Sequence, residues 1–491
     1  MANTISPPNY PSSNRTPVVA FSLDASNANT SVADLKTLLI GQMFASGTSP
    51  PNVPFLASSQ AVVDAMTGPG SMLSNMYNTY LGDDGFAEIW ALPVFDDPAA
   101  AKGVSTMTVS GPATATGTLA LYVAGTLVPV AVTMGDSAST IATNVVGAMA
   151  LQPPLPATAT TSGGVVTFTA VHGGIAAADI DLRLNYLGAI NGQTTPAGVS
   201  VAFATITAGT TDPNLTPALS ALTGQYAFIA SPYSGASQFA SLQAVVSDIN
   251  GTWSWLSNTG GGIFSAYKNT YAGVQSYGTT VNLQHFAVLG ISDTPTTVAN
   301  IAASYTAVCA NSLRVDPALP LTAIVMTGIQ APPVHSVYTR LMRNVLLYDG
   351  ITTFTTNSAG QVILEIAATT YQKTPSGAAD NSYFYVNTLY TLQAIIAAWK
   401  TAFQTKYARV KLVDDATPIR PGTNTVNPTA IRSEVIAQYQ NAADAGLVQD
   451  VPQFIKTVAT QQVSPNQVNV YAPVQIATGL YQLIFDLAFT L

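Results

Sequence analysis

Charge is scarce in this 491-residue chain. Asp, Glu, Lys and Arg make up only 8% of it, against about 25% in an ordinary soluble protein. Hydrophobic residues reach 48%. A free surface so poor in charge favours association, so composition points to a subunit covered by copies or partners. A secreted protein rich in Thr, Ser and Ala is the other reading this composition allows. Cysteine is nearly absent: Cys309 stands alone, which excludes an intrachain disulfide and suits a reducing compartment. Basic residues are outnumbered, giving a net charge of −8, so nothing neutralises phosphates on a large scale and nucleic acid is not expected as a partner. Apolar stretches are broken by Thr, Ser, Gly or Pro before they could span a bilayer, so no membrane insertion is expected. Met1 to Arg15 is polar and proline-rich, without the apolar core of a signal peptide.

Catalytic patterns are missing too. His172, His285 and His335 are isolated; none sits in HxxxH, HExxH or a Cys/His cluster, and no metal is expected. His172-Gly173-Gly174 has the look of an oxyanion loop, but no GxSxG follows it. Gly68-Pro69-Gly70-Ser71 precedes a helix, yet Pro69 removes a donor and no Lys follows, so a structural turn is expected there. Asp349, Asp380 and the pair Asp414-Asp415 lack the DxDxDG spacing of a calcium loop and read as turn formers. The expectation is a non-enzyme with no cofactor. A subtilisin-class hydrolase would need Ser, His and Asp to converge in one cleft. A surface adhesin is a further alternative, suggested by the Thr-rich middle of the chain.

What is present divides the chain. The length allows about three domains. Residues 1–20 read as an extended arm, because Pro7, Pro8, Pro11 and Pro17 forbid a regular helix. Residues 21–103 read as the first part of a core domain. Here Ser31 to Asp34 resembles a capping box opening a helix through Leu35, Leu38 and Leu39. A second helix is expected over Ser71–Leu81 and a buried strand over Phe86–Phe95.

Residues 104–211 change character. Their only formal charges are Asp136, Asp179, Asp181 and Arg183, and β-branched residues dominate. A hairpin is expected from Leu119–Ala124 and Leu127–Thr133 around Gly125-Thr126. A short helix follows over Ser139–Met149, and strands fit Val165–Val171 and Ile180–Tyr186. This reads as a β-rich domain inserted into the core domain.

Over 212–371 the rhythm becomes strand–helix–strand. Strands fit Tyr226–Ala230, Phe286–Ile291 and Leu321–Thr327, with helices over Ser237–Ile249, Thr296–Asn311 and His335–Tyr348. Gly350 stands as a helix stop. A hairpin follows, Ile351–Thr356 with Gln361–Ala367. Residues 372–479 read as a C-terminal α+β domain. Its helices run through Leu389, Leu392, Ile395, Ile396, Trp399 and Phe403, and from Asn427-Pro428 to Gly446.

Two surfaces stand out. In 480–491, Leu483, Phe485, Leu487, Phe489 and Leu491 alternate with Gln482, Ile484, Asp486, Ala488 and Thr490, which puts them on one face of a strand. Such a strand pairs within its own domain or adds to another chain's sheet edge. Burying these side chains contributes about 1.5–3 kcal/mol each before ordering costs. The second surface is basic. Lys400, Lys406, Arg409 and Lys411 either offset a helix dipole or meet an acidic partner.

At this point the chain resembles the Mu-like branch of contractile phage tail sheath proteins. The resemblance runs through Ala331-Pro332-Pro333, Arg340, Arg343-Asn344-Val345-Leu346-Leu347 and Tyr348-Asp349-Gly350-Ile351. It continues through Thr369-Thr370-Tyr371-Gln372, Gly377, Asp380 and Arg409-Val410-Lys411-Leu412-Val413-Asp414-Asp415. It covers about 330–450; Ala416 departs from it where Gly would be expected. The resemblance implies a mixed α/β fold, with a subtilisin-like sheath core lacking protease activity, an inserted domain facing outward and a C-terminal domain facing a tail tube. It implies hexameric rings, with terminal arms joining neighbours by strand addition. The implied partners are other copies of the chain, the tail tube protein, and the baseplate and tail terminator proteins.

Overall fold

The computed structural model describes residues 35–152, 154–420 and 422–489. The proline arm (Pro7, Pro8, Pro11, Pro17), the Ser31–Asp34 box and Leu491 lie outside the described residues.

The first described strand lies in the middle of a sheet. Strand β1 (Thr37–Gln42) is buried on both faces. It pairs in parallel with β3 (Ile89–Val94) on one side. Between them come the short strand β2 (Phe55–Leu56), helix α1 (Gln60–Thr67) and helix α2 (Met72–Asp83), capped by Ser59 and Ser71. The expected helix through Leu35, Leu38 and Leu39 is therefore a strand. An uninterrupted apolar run satisfies helical spacing and a doubly buried strand equally, and central position in a sheet decides it. The expected helix 71–81 is found as α2, and the strand expected over 86–95 is the shorter β3, with Phe86 and Phe95 exposed outside it.

Residues 102–207 build two further sheets around one apolar core of Leu119, Leu121, Val128, Val130, Ile141, Val145, Val166 and Phe168. The strands are β4 (Lys102–Ser110), β5 (Gly117–Val123) and β6 (Thr126–Val132). Then come helix α3 (Ala138–Ala150) and β7 (Ala157–Ser162), β8 (Val165–Gly173), β9 (Leu182–Leu184) and β10 (Ser200–Thr207). One sheet runs β10-β4-β8-β7, the other β6-β5-β9. The β5–β6 turn is Ala124-Gly125, both at positive φ, one residue earlier than expected; left-handed backbone at both positions is what a tight hairpin needs. The segment's ends meet: Ala101 and Thr210 form an antiparallel bridge.

The chain then re-enters the first sheet. Helix α4 (Thr216–Ser220), β11 (Phe228–Ala230), α5 (Ala236–Val245), β12 (Gly262–Lys268), α6 (Tyr271–Thr280), β13 (Phe286–Ile291) and α7 (Val298–Val315) follow in order. The six-stranded sheet is ordered β13-β12-β11-β1-β3-β2, with β2 alone antiparallel. Strand β12 was not expected from the sequence, yet it lies between the two strands that were. The third expected strand shifts: β14 is Ile324–Gln330. It leaves the parallel sheet for an antiparallel one with β15 (Thr353–Thr356) and β16 (Gln361–Ile366), in the order β14-β16-β15. Ala323, at positive φ, turns the chain before the strand starts. Helix α8 (Arg340–Tyr348) begins five residues later than expected because Thr339 caps it.

The last region has its own core: Ile395, Val435, Tyr439, Val448, Phe454 and Val458, flanked by Trp399 and Phe403. Its elements are α9 (Val386–Lys406), β17 (Lys411–Leu412), β18 (Thr425–Val426), α10 (Pro428–Asp444), α11 (Val451–Thr457), β19 (Ala459–Ser464) and β20 (Gln467–Tyr471). Helix α9 joins two cores. Its first turns bury Leu389 and Tyr390, with Tyr390 stacked 4.9 Å from Phe228; its later turns carry Ile395, Trp399 and Phe403. Among the described residues no helix is long and apolar enough to cross a membrane.

Candidate assembly surfaces

The joint between the six-stranded sheet and the segment 102–207 is polar. Asp96, just past β3, accepts from His172 Nδ1 at 2.8 Å, Gly173 N–H at 2.7 Å and Gln42 Nε2 at 2.7 Å. Gln42 also donates to the Gly173 carbonyl at 2.6 Å. Burial works to raise the Asp96 carboxyl, but these hydrogen bonds outweigh it and hold the group below the usual carboxylate range. His172 Nε2 accepts from the Met72 N–H at 3.3 Å, so Nδ1 carries the proton, and the ring stacks on Phe44 at 4.7 Å. Its free lone pair is thereby occupied by backbone. His172 is a fastener, with no serine hydroxyl hydrogen-bonded to it among the described residues. His285 stacks on Trp253 at 5.2 Å, and burial lowers its pKa to about 4. His335 is exposed in a short 3₁₀ turn.

A second part of the joint lies at the start of α7. Lys268 Nζ donates to Asp179 Oδ1 at 2.8 Å, and the Val298 N–H donates to Asp179 Oδ2 at 2.8 Å. A carboxylate at a helix N-terminus satisfies an orphan donor and opposes the dipole. Arg183 donates to Asp181 at 2.6 Å and to the Asp293 carboxylate at 2.7 Å. Gln330 Nε2 donates to the Gly125 carbonyl at 2.7 Å. Asp179, Asp181 and Arg183, all the formal charges of 104–211 except Asp136, therefore work at this contact.

The basic cluster is spread along the end of α9 and β17. Lys400, Lys406, Arg409 and Lys411 are all exposed. Lys400 donates to the Ser257 carbonyl at 2.9 Å, and Lys406 pairs with Glu434. The side chains of Arg409 and Lys411 make no hydrogen bond or ion pair among the described residues. Asp414 and Asp415 serve as turn and cap: Asp414 accepts from Thr417 N–H and Asp415 from Thr429 N–H, each at 2.9 Å. No cluster of metal-ligating side chains occurs among the described residues.

The tail is the most exposed apolar feature. Leu483, Phe485, Leu487 and Phe489 are 68, 73, 85 and 83% exposed. Residues 482–489 are in no helix or strand and make no hydrogen bond within the chain among the described residues. Over its described residues, 482–489, the expected strand is thus unpaired within the chain. The burial changes at one residue. Tyr481 is partly buried, stacked on Tyr385 with ring centroids 4.6 Å apart. A two-stranded sheet with both edges open, β19–β20, carries exposed Val463, Val470 and Tyr471 nearby in sequence.

The chain is 31% identical over 461 residues to the Mu-like prophage FluMu tail sheath protein of Haemophilus influenzae, covering 93% of each. It belongs to the phage tail sheath family. Within this sheath protein, residues 378–490 match the family model described as the phage tail sheath C-terminal domain. Two solved sheath tail proteins are similar to it at lower identity. That of Desulfitobacterium hafniense is 14% identical, with 95% of this chain and 97% of the other covered and a TM-score of 0.48. That of Listeria innocua is 12% identical, with 91% and 92% covered and a TM-score of 0.45. The sheath subunit is a structural component of a contractile phage tail.

The sequence singles out the tail and the basic cluster as candidate surfaces but not the joint. Asp179, Asp181 and Arg183 lie within five residues, but their partners Lys268 and Asp293, and Asp96 with His172, lie far off in the chain, so no local spacing announces the contact. The scarcity of charge around them was the available clue: a lone Asp in an otherwise neutral stretch has a reason to be there.

Proposed function

We propose that this sheath subunit assembles as hexameric rings, stacked helically around a tail tube, and that contraction of the stack drives the tube through the host envelope. The observation that carries this reading is the apolar tail 482–489, which has no cover in its own subunit. Large apolar side chains left in water at the end of a folded body mark a surface meant for a partner. Their alternation fits strand addition to a sheet edge, where main-chain hydrogen bonds supply affinity and alternate side chains supply register. The hairpin β19–β20 suits an acceptor: an isolated two-stranded sheet is marginal, and further strands stabilise it.

In this reading the chain divides into an N-terminal arm (1–20), a split α/β core (21–103 and 212–371), an inserted domain (104–211) facing outward, a C-terminal domain (372–479) facing the tube, and the arm 480–491. Lys400, Lys406, Arg409 and Lys411 face the tube protein. The remaining partners are the baseplate and the tail terminator. The subunit resides in the virion tail after assembly in the host cytoplasm, and no catalytic step is assigned to it. Between the two packings the bodies move rigidly while the arms keep neighbours joined. Negative-stain microscopy of the purified chain tests this. The full chain forms tubes, and a chain lacking 482–491 stays folded and solitary; normal tubes from the shortened chain would overturn the reading.

A further inference from the structure

Where the arm leaves the body, the chain passes two successive anchors. Ile476 bridges Val448, and the Ala477 N–H donates to the Leu447 carbonyl at 2.9 Å; this anchor belongs to the core of the C-terminal region. Four residues on, the chain has crossed to a different body. The Tyr481 ring lies flat on Tyr385, with 1° between the planes, and its hydroxyl donates to Asn387 Oδ1 at 3.4 Å. Asn387 itself holds the turn 317–321: its Nδ2 donates to the carbonyls of Pro317 and Leu319 at 3.0 and 2.7 Å. Its Oδ1 also accepts from the Leu321 N–H at 3.4 Å. Gly479 passes so close to Pro320 that a Cβ there would sit 2.5 Å from the ring, so only glycine allows the approach. Burial, with Tyr385 alongside, raises the Tyr481 hydroxyl far above its ordinary pKa, which keeps it a neutral donor. Beyond it, from Gln482 on, every described residue is exposed.

We infer that Tyr481 is the pivot of the arm: the socket of Tyr385, Asn387 and Pro320 fixes the origin and aim of the donated segment. Tyr385 is the N-cap residue of α9, the helix whose two halves pack into different cores. An arm pinned there takes its bearing from the point where the α/β sheet and the C-terminal region are already joined. Without the socket, the free segment would begin at Ala477, four residues earlier, and would hang from the C-terminal region alone. A longer tether still reaches its partner but lowers the effective concentration at the correct geometry and relaxes the angle. Tyr481 therefore acts as a positioning residue: it touches nothing in the neighbouring copy and acts through the direction in which the arm departs. The inference rests on the arm reading above.

The experiment uses the full chain with Tyr481→Ala, Tyr481→Phe and a deletion of 482–491. Limited proteolysis of unassembled protein, read by mass spectrometry, maps where trimming stops. In the unaltered chain and in Tyr481→Phe, which keeps the stacked ring, trimming stops at Tyr481. In Tyr481→Ala it runs back to Ala477. Helical order of tubes, read by cryo-electron microscopy, is the second measurement. Tyr481→Ala forms tubes with variable twist and rise, and Tyr481→Phe restores the regular lattice. A trimming boundary that stays at position 481 in Tyr481→Ala overturns the pivot. So does a displaced boundary accompanied by tubes as regular as those of the unaltered chain. Normal tubes from the 482–491 deletion would instead overturn the arm reading itself, so the two failures are told apart.

Discussion

The inserted segment 102–207 and the tail 482–489 are both appended to one folded body, and they are attached in opposite ways. The insert meets the body through its few charges. Asp179 caps α7 and pairs with Lys268, Arg183 reaches Asp293, and His172 and Gly173 engage Asp96. The tail has a single aromatic anchor at its base and no intrachain hydrogen bond beyond it among the described residues. Directional polar contacts hold one orientation, because each fails when its partner is displaced by an ångström or so. A free apolar strand holds none until another sheet supplies its register. One appendage is fixed to its body by directional contacts, while the described part of the other is exposed beyond its anchor.

The largest expected effect comes from removing the tail. Deleting 482–491 abolishes tubes in electron micrographs while leaving unfolding stability within about 0.5 kcal/mol of the full chain, as for surface residues without contacts. A substantial loss of stability would break the comparison. Next comes the joint. Asp179→Ala strips Lys268 of its carboxylate and the first turn of α7 of its acceptor, and should cost about 2–4 kcal/mol in denaturant unfolding. A change under about 0.5 kcal/mol would show the insert to be loosely tethered, like the tail.

Acid separates the core from the joint. The folded-state pKa of His285 is about 4, below the unfolded value of about 6.5. The unfolded chain therefore binds the proton first. The contribution is complete above the unfolded pKa and is lost as pH falls towards 4. Across that window the loss amounts to about 3 kcal/mol. Urea midpoints measured between pH 7 and 4 should fall, and His285→Phe should flatten the profile. Asp96 behaves differently: its carboxyl is held low, so its contribution is present above the usual carboxylate pKa and disappears only below it. The joint should outlast the core in mild acid. The smallest structural effect belongs to the basic cluster. Lys406→Glu with Lys411→Glu should change stability by less than about 1 kcal/mol, since these side chains are exposed. The same pair should reduce co-sedimentation with tube protein, and unchanged binding would remove the cluster from the tube contact.

Legibility followed the kind of signal. Helices α2, α3 and α10 were readable because Ser71, Ser137 and Asn427 cap them and their apolar faces repeat at helical spacing. Strand β1 gives no sign of itself because its core Leu38-Leu39-Ile40 is apolar and both faces are buried, so no alternation reveals it. Strand β12 mixes Ile263 and Phe264 with Gly262, Ser265, Ala266 and Lys268, so neither period two nor a long apolar run marks it, although its neighbours bury it. The tail was legible for the opposite reason: strict alternation over Leu483 to Phe489 is a signal no fold needs to complete. The pivot beneath it was not, because Tyr385, Asn387, Pro320 and Tyr481 converge only once the chain has folded.

The bridge between Ala101 and Thr210 has a practical corollary. The chain leaves the body and returns to it through two hydrogen-bonded neighbours, with the backbone N–H of each donating to the carbonyl of the other at 3.3 Å. Whatever lies between them is, in threading terms, a closed loop on a doorway one strand-pair wide. Cargo could be spliced there without re-routing a single strand of the six-stranded sheet, provided it brings its own counterparts for Asp96, Lys268 and Asp293. A tube of such subunits would carry that cargo at every lattice point, which makes 101 and 210 the natural splice sites for a decorated sheath.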